Sequence, residues 1–308
     1  MGRRHARVLL ALGDRFELVG VFDSERSRAE RARDEIGTLV LASEREAIES
    51  SEVVLVATPS EIHVRTATAA LDAGRDVLIE KPICARVDDA RTVLAAASRA
   101  RRRVFVGHSE RFNPVVRAVA RLLRGDEVVA LAFHRIGAGR AVTDADVGVL
   151  ANLGVHDLDL AAYLTGGAVG VSDAIGRSFD GSAGYEDMAH VLVAAHGRAL
   201  GHIYADRTAS VKHRSLRLTT TRWVYEGDLL DHRLARTARG STVSGEIPLT
   251  TEEPLVAQAI ALADALDGTP SREIATGIDG LRALALADEA AQRIRERESF
   301  APAEAENL

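Results

Sequence analysis

Val53-Val-Leu-Val56 leads into Ala57-Thr58-Pro59-Ser60, and Asp76-Val-Leu-Ile79 leads into Glu80-Lys81-Pro82; between them a helical pattern runs from Ile62 to Ala73 and stops at Gly74. Each apolar run is short and uninterrupted, which predicts a strand buried on both faces. Joined by a helix of about 10–15 residues, the two runs predict a parallel β-α-β unit. Before this unit, Glu17 to Phe22 reads as another buried strand and Glu25 to Ile36 as an exposed helix closed by Gly37. After it come a helix from Val87 to Arg101 and a strand from Val104 to Val106. The expected class is α/β, a doubly wound parallel sheet. Ligands bind such sheets at the carboxyl ends of the strands, so the segments at Thr58 and Lys81 open onto one crevice.

The alternation stops near residue 113. A helix from Pro114 to Leu123 and a strand from Glu127 to His134 precede a glycine-rich loop, and a helix from Leu150 to Leu164 is stopped by Gly166-Gly167. Successive strands follow without helices between them, among them His190 to Ala195, Ala199 to Ala205, Ser215 to Thr219 and Thr221 to Glu226. Helices from Leu255 to Leu266 and from Asp279 to Arg295 end the pattern. This predicts an α+β domain with an open mixed, largely antiparallel sheet.

A chain of 308 residues is too long for one ordinary core and suits two packed domains. No apolar run is long enough to span a bilayer. A net charge of −6 argues against a nucleic-acid partner, and Arg101-Arg102-Arg103 reads as a solvated helix end, where cations complement the helix dipole. The single cysteine, Cys84, excludes a disulfide framework and fits a reducing cytoplasm. Arg3-Arg4 is followed by too short an apolar stretch for an export signal, and Ala6 breaks the myristoylation pattern. The expected location is cytoplasmic. Of 39 basic residues only Lys81 and Lys212 are lysines. Arginine does not give up its proton near neutrality and lysine can, so a lysine at a strand end is a candidate for chemistry.

Asp23 closes a strand of the β-α-β series, where a carboxylate accepts hydrogen bonds from the adenosine ribose; this favours NAD, while Arg26 and Arg28 leave NADP open. A helix cap is the alternative role for Asp23. In the second half, Asn152-Leu-Gly-Val-His156-Asp157-Leu-Asp159 places Asn152, His156 and Asp159 on one helical face, an arrangement that orients a histidine for acid–base work. No second histidine or carboxylate cluster has matching spacing, and no metal is expected.

The run Val56-Ala-Thr-Pro59, then His63, then Ala73-Gly-Arg-Asp-Val-Leu-Ile-Glu-Lys-Pro82 resembles the glucose–fructose oxidoreductase / inositol dehydrogenase (Gfo/Idh/MocA) family. Gly107-His-Ser-Glu-Arg-Phe-Asn-Pro114 and Gly154-Val-His-Asp-Leu-Asp159 continue the likeness in order, and Glu110 to Pro114 with Leu153 to Leu160 resemble members acting on UDP-N-acetylhexosamines. The resemblance implies a Rossmann-type dinucleotide-binding domain over 1–112, a substrate and oligomerisation domain over 113–298, and a polar tail over 299–308. It implies hydride transfer between NAD or NADP and a secondary alcohol or ketone of a sugar, inositol or sugar nucleotide, in a homo-oligomer. Lys81 would bridge the nicotinamide ribose and the substrate hydroxyl, and His156 would take or supply the proton. Gly2, Thr58, Pro59, His63, Glu80, Pro82 and Arg111 would line the cofactor cleft; Asn113 and Asn152 would face substrate.

Two departures stand out. The family opens with a strand and a Gly-x-Gly-x-x-Gly loop, whereas here Gly2 aligns with the third glycine only. The first strand is missing, and the native polypeptide is expected to start about ten residues upstream. Asn152 stands where the family often has Asp, which removes a proton relay but keeps a hydrogen-bonding group. Both departures leave open an alternative, a catalytically silent relative that binds a sugar or a protein partner.

Overall fold

The structure, a computed structural model, describes residues 1–123, 125–137, 147–179, 185–195, 199–269 and 271–298. The glycine-rich loop beyond Gly137 and the polar tail lie outside the described residues. Helices α1 (Gly2–Ala11), α2 (Arg26–Ile36), α3 (Glu44–Glu49), α4 (His63–Asp72) and α5 (Val87–Ala100) accompany strands β1 (Val53–Val56), β2 (Asp76–Ile79) and β3 (Val104–Val106). Helix α6 (Pro114–Leu122), β4 (Val128–Ile136) and α7 (Val155–Thr165) follow. Next come β5 (Val169–Arg177), β6 (Met188–Ala195), β7 (Ala199–Asp206), β8 (His213–Thr220), β9 (Trp223–Asp228), β10 (Arg233–Ala238) and β11 (Ser244–Glu246). The last elements are α8 (Pro254–Leu266), β12 (Ala275–Thr276) and α9 (Gly277–Glu298).

Two compact units result. The first is Met1–Phe112 with Glu252–Arg282; the second is Asn113–Thr251 with the chain from Ala283 onward. The sequence pattern puts all of 113–298 in one domain, but 252–282 packs with the first unit. The reason is composition: α8 is apolar almost all round, and Leu255 and Ala259 pack with Val8 of α1 while Ala257, Ala261 and Leu262 pack with Leu78, Phe105 and Phe112. Each large side chain so buried contributes roughly 1.5–3 kcal/mol.

The first unit holds a four-stranded sheet in the order β1-β2-β3-β12. Its first three strands are parallel, as expected, and β12 pairs antiparallel with β3. The strand expected over Glu17 to Phe22 does not form. Only Val21 makes a parallel bridge, to Val40, with Val21 N donating to Leu39 O at 2.8 Å. No residue from Glu17 to Phe22 is buried, and its only backbone bonds to the facing segment are the two at Val21, the second with Leu41 N donating to Val21 O at 2.9 Å. Helix α3 is an addition to the expected elements, although Ser43 and Glu46 spell its start: Ser43 Oγ accepts from Glu46 N at 3.0 Å and Glu46 Oε2 from Ala42 N at 2.6 Å. Helix α2 closes at Gly37 in the left-handed conformation, φ 74°.

The second unit holds an eight-stranded sheet in the order β11-β10-β9-β8-β4-β7-β6-β5, antiparallel except for β4 beside β7. Phe133, Leu158, Leu160, Ile203, Leu216 and Ile294 form its core. Buried within it, Arg135 of β4 donates through Nε and Nη2 to the two carboxylate oxygens of Asp157 at 2.9 and 2.7 Å. Both are 1% exposed. Removing one partner strands a buried charge, so Asp157→Ala is expected to cost about 3–5 kcal/mol of stability, measured by urea unfolding.

Candidate functional site

Val56, Ile79 and Val106, the last residues of β1, β2 and β3, are register partners, so three strands end side by side. Glu80 N donates to Val56 O at 2.8 Å and Gly107 N to Ile79 O at 2.7 Å, which carries the ladder one residue beyond the strands. Helix α1 begins at this edge, where a Cβ on Gly2 would lie 3.7 Å from Ala57 Cβ. Its N–H groups and partial positive charge make the edge suited to an anionic ligand group.

Glu80 is the centre of the arrangement. Its Oε1 accepts from His5 Nε2 at 2.6 Å, with both side chains buried, and its Oε2 accepts from Lys81 N at 3.2 Å. Burial alone pushes this carboxyl up. The His5 hydrogen bond, the charges of His5 and Lys81 and the Lys81 N–H outweigh burial and hold it below the ordinary carboxylate range. Gly107 lies against the same carboxylate, where a Cβ would stand 3.1 Å from it. Lys81 is half-buried beside this ionised group.

His63 is buried at 1% exposure and faces backbone carbonyls with both ring nitrogens: Nε2 lies 2.9 Å from Thr58 O, and Nδ1 lies 3.1 Å from Pro82 O. It ties the segments after β1 and β2 together. Thr58 and Pro59 stand at the end of β1, and Pro82 is buried. Asp23 is half-buried, and its Oδ1 accepts from Glu25 N at 2.9 Å in the turn before α2; it is not the helix cap, which is Glu25, without a side-chain cap bond. Arg111 is buried with Nη1 3.6 Å from Asp279 Oδ2. Burial raises the Asp279 carboxyl, but Arg111 and the Thr276 donors hold it below its usual range. The first unit thus brings Gly2, Thr58, His63, Glu80, Lys81 and Pro82 to one edge. Gly107, which opens the Gly107–Pro114 motif but is given no role by the sequence, and His5 complete it; the available signal for His5 was its place three residues after Gly2, on the first turn of α1.

In the second unit Asn152 and His156 are both half-buried, on the turn Leu150–Gly154 and the start of α7. The sequence predicts continuous α-helix here, but Leu150–Gly154 is a π-helical turn, a wider turn that recurs at functional sites. Asp157 serves the Arg135 pair, and Asp159 is buried. Asn113 is committed to structure: its Oδ1 accepts from Val115 N at 3.1 Å, capping α6, and its Nδ2 donates to Leu229 O at 2.9 Å. Lys212 is exposed ahead of β8. Among the described residues no group of three or more His, Cys, Asp or Glu side chains could hold a metal ion, and no helix is long and apolar enough to cross a membrane.

Residues 1–108 match an oxidoreductase family described by its NAD-binding Rossmann fold, and residues 132–226 match the GFO/IDH/MocA C-terminal domain. The UDP-N-acetylglucosamine 3-dehydrogenase of Acidithiobacillus ferrooxidans is 26% identical over 300 residues, 93% of this chain and 92% of that one. Its solved structure superposes with a TM-score of 0.86 over 96% of this chain and 94% of that chain. Inositol 2-dehydrogenase 2 of Saccharopolyspora erythraea is 32% identical over 54% of this chain and 51% of its own length. The WlbA dehydrogenase of Bordetella pertussis, solved with NADH and UDP-GlcNAcA, shares the fold at a TM-score of 0.78 and 20% identity, over 96% and 94% of the two chains.

Proposed function

Since the chain belongs to the Gfo/Idh/MocA oxidoreductase family, we propose that it transfers a hydride between a nicotinamide cofactor and a secondary alcohol or ketone of a sugar nucleotide, with a UDP-N-acetylhexosamine as substrate. The observation that carries this reading is the buried His5–Glu80 pair, which presents Lys81 at the strand edge where α1 begins. The residues there fit a dinucleotide: backbone N–H groups of α1 suit its phosphates, and the carboxylate of Asp23 suits a ribose hydroxyl. When bound, the nicotinamide supplies the acceptor or donor for the hydride. The chain's own residues handle the oxygen. A carbinol carbon releases hydride readily only as its oxygen gives up a proton, so Lys81 donates a hydrogen bond to that oxygen and steadies its developing charge. By the family resemblance, His156 would take the proton in oxidation and return it in reduction. Asn152 hydrogen-bonds a substrate hydroxyl without relaying a proton.

The uncovered face of the eight-stranded sheet, with Leu200 and Leu192 70% and 49% exposed, would be the homo-oligomer surface. Sedimentation velocity of Leu200→Lys is expected to show a smaller assembly than wild type.

The test of function is reduction of NAD in the presence of UDP-N-acetylglucosamine, followed by NADH absorbance, beside a fluorescence titration with NADH. Turnover supports the reading, and binding of both ligands without turnover supports the silent relative that Asn152 favours. An Asp23→Asn variant is expected to weaken NADH binding by about tenfold, the loss of one or two charge-assisted hydrogen bonds. Unchanged binding would remove Asp23 from the ribose site.

A further inference from the structure

We propose that Glu186 is a positioning residue for His156, fastening the first turn of the helix that carries Asn152 and His156; this rests on the role given to His156 above. Glu186 lies just before β6 and is 6% exposed. Its Oε1 accepts from Leu150 N at 3.0 Å, and its backbone carbonyl accepts from Val149 N at 2.9 Å. One residue therefore satisfies two of the N–H groups that a helix start leaves without intrahelical partners. The carboxyl also fills the volume that a side chain at position 148 would need: a Cβ on Gly148 would overlap it.

The neighbours of Glu186 hold the same entry point from behind. Arg207 Nε donates to Asp187 Oδ1 at 2.7 Å, and its Nη1 donates to Val147 O at 2.6 Å. Asp187 Oδ2 in turn accepts from Phe179 N at 3.0 Å. Val147, Val149 and Leu150 are thus anchored by three adjacent polar residues at the ends of β6 and β7.

This anchoring sets the course of the π-helical turn at Leu150–Gly154. Such a turn is rare and occurs mostly as a single wide turn within an α-helix. The direction in which Asn152 and His156 point then depends on where the chain enters the turn. Burial pushes the Glu186 carboxyl above its ordinary range, against the Leu150 N–H and the charges of Arg207 and Arg295. A neutral amide of the same shape is therefore tolerated there, and its oxygen still reaches Leu150 N.

Glu186→Ala, Glu186→Asp and Glu186→Gln in the full chain test the proposal. The first readout is the pH titration of the His156 ring by NMR, its signal assigned through its loss in His156→Gln. The second is turnover with UDP-N-acetylglucosamine as probe. In E186A and E186D the His156 midpoint is expected to move by about half a pH unit or more, and kcat to fall by about ten- to hundredfold with KM within about threefold. E186Q is expected to restore both. An unchanged His156 titration in E186A and E186D overturns the proposal, whatever happens to stability. Should E186A not fold, E186D, one methylene short of Leu150, decides alone. A wild-type chain that does not turn over the probe sinks the substrate reading instead, and the His156 titration still decides this one.

Discussion

Lys81→Ala is expected to lower kcat by about 10²- to 10³-fold, the range lost with one positioned donor to a developing charge, while leaving unfolding near wild type and weakening NADH binding by no more than about tenfold. The reason lies in how the residue is held. Lys81 is half-buried and follows a buried carboxylate that takes its backbone N–H, so the backbone geometry is fixed by Glu80 rather than by the Lys81 side chain. Truncating that side chain removes an ammonium from the strand edge without removing a packed apolar group. Steady-state rates with excess substrate, beside an NADH titration of the variant, check the result. Turnover within a fewfold of wild type would take Lys81 out of the mechanism, and loss of NADH binding together with turnover would make it a cofactor ligand only. Lys81→Arg is expected to recover little, because a guanidinium is longer and presents a planar fork instead of a compact donor.

The second large effect is expected at the pair behind Lys81. His5→Ala leaves the Glu80 carboxylate buried without its imidazole, a situation that costs about 3–5 kcal/mol. Urea unfolding measures it. His5→Ala combined with Glu80→Gln is expected to recover most of that loss, since no buried charge is then stranded; a double variant as unstable as His5→Ala would show that the cost comes from lost packing. The pH dependence has a definite sign. The folded-state carboxyl of Glu80 sits below its ordinary value of 4.5. Its contribution is therefore fully present above that value and is lost as the pH falls through the lower folded value. The stability advantage of wild type over Glu80→Gln should be constant through neutrality and shrink only in acid. An advantage that disappears near neutrality would show that the Glu80 carboxyl is not the group that sets the dependence.

These two residues also show where reading a chain in one dimension stops. The apolar runs at Val53, Asp76 and Val104 announce buried parallel strands, because solvent exclusion on both faces leaves a local mark in the composition. The stops at Gly37 and Gly166 are legible too: each helix ends in a left-handed residue, φ 74° at both, which glycine adopts without strain. The start of α3 is spelled by Ser43 and Glu46, but a helix of six residues carries too little apolar pattern to stand out. The Glu-Lys-Pro and Gly-Val-His-Asp segments mark the candidate chemistry without coordinates, since scarce lysine and a flanked histidine stand out in a chain rich in arginine.

Order and spacing of the strands, their parallel pairing, the change of architecture near residue 113 and the identity of Lys81 and His156 as candidates are thus written in the sequence itself, where periodicity and residue type suffice. Tertiary structure alone decided that His5 reaches Glu80 across 75 positions, that Glu186 holds Leu150 across 36, and that α8 returns to the first unit. It also decided that the run from Glu17 to Phe22 makes one bridge instead of a strand, and that a π-turn precedes His156. The physical reason is common to all of them. Local pattern records how much of each residue is hidden from water, whereas the partner that completes a buried charge, a helix start or a sheet edge is supplied by whichever distant segment packs there.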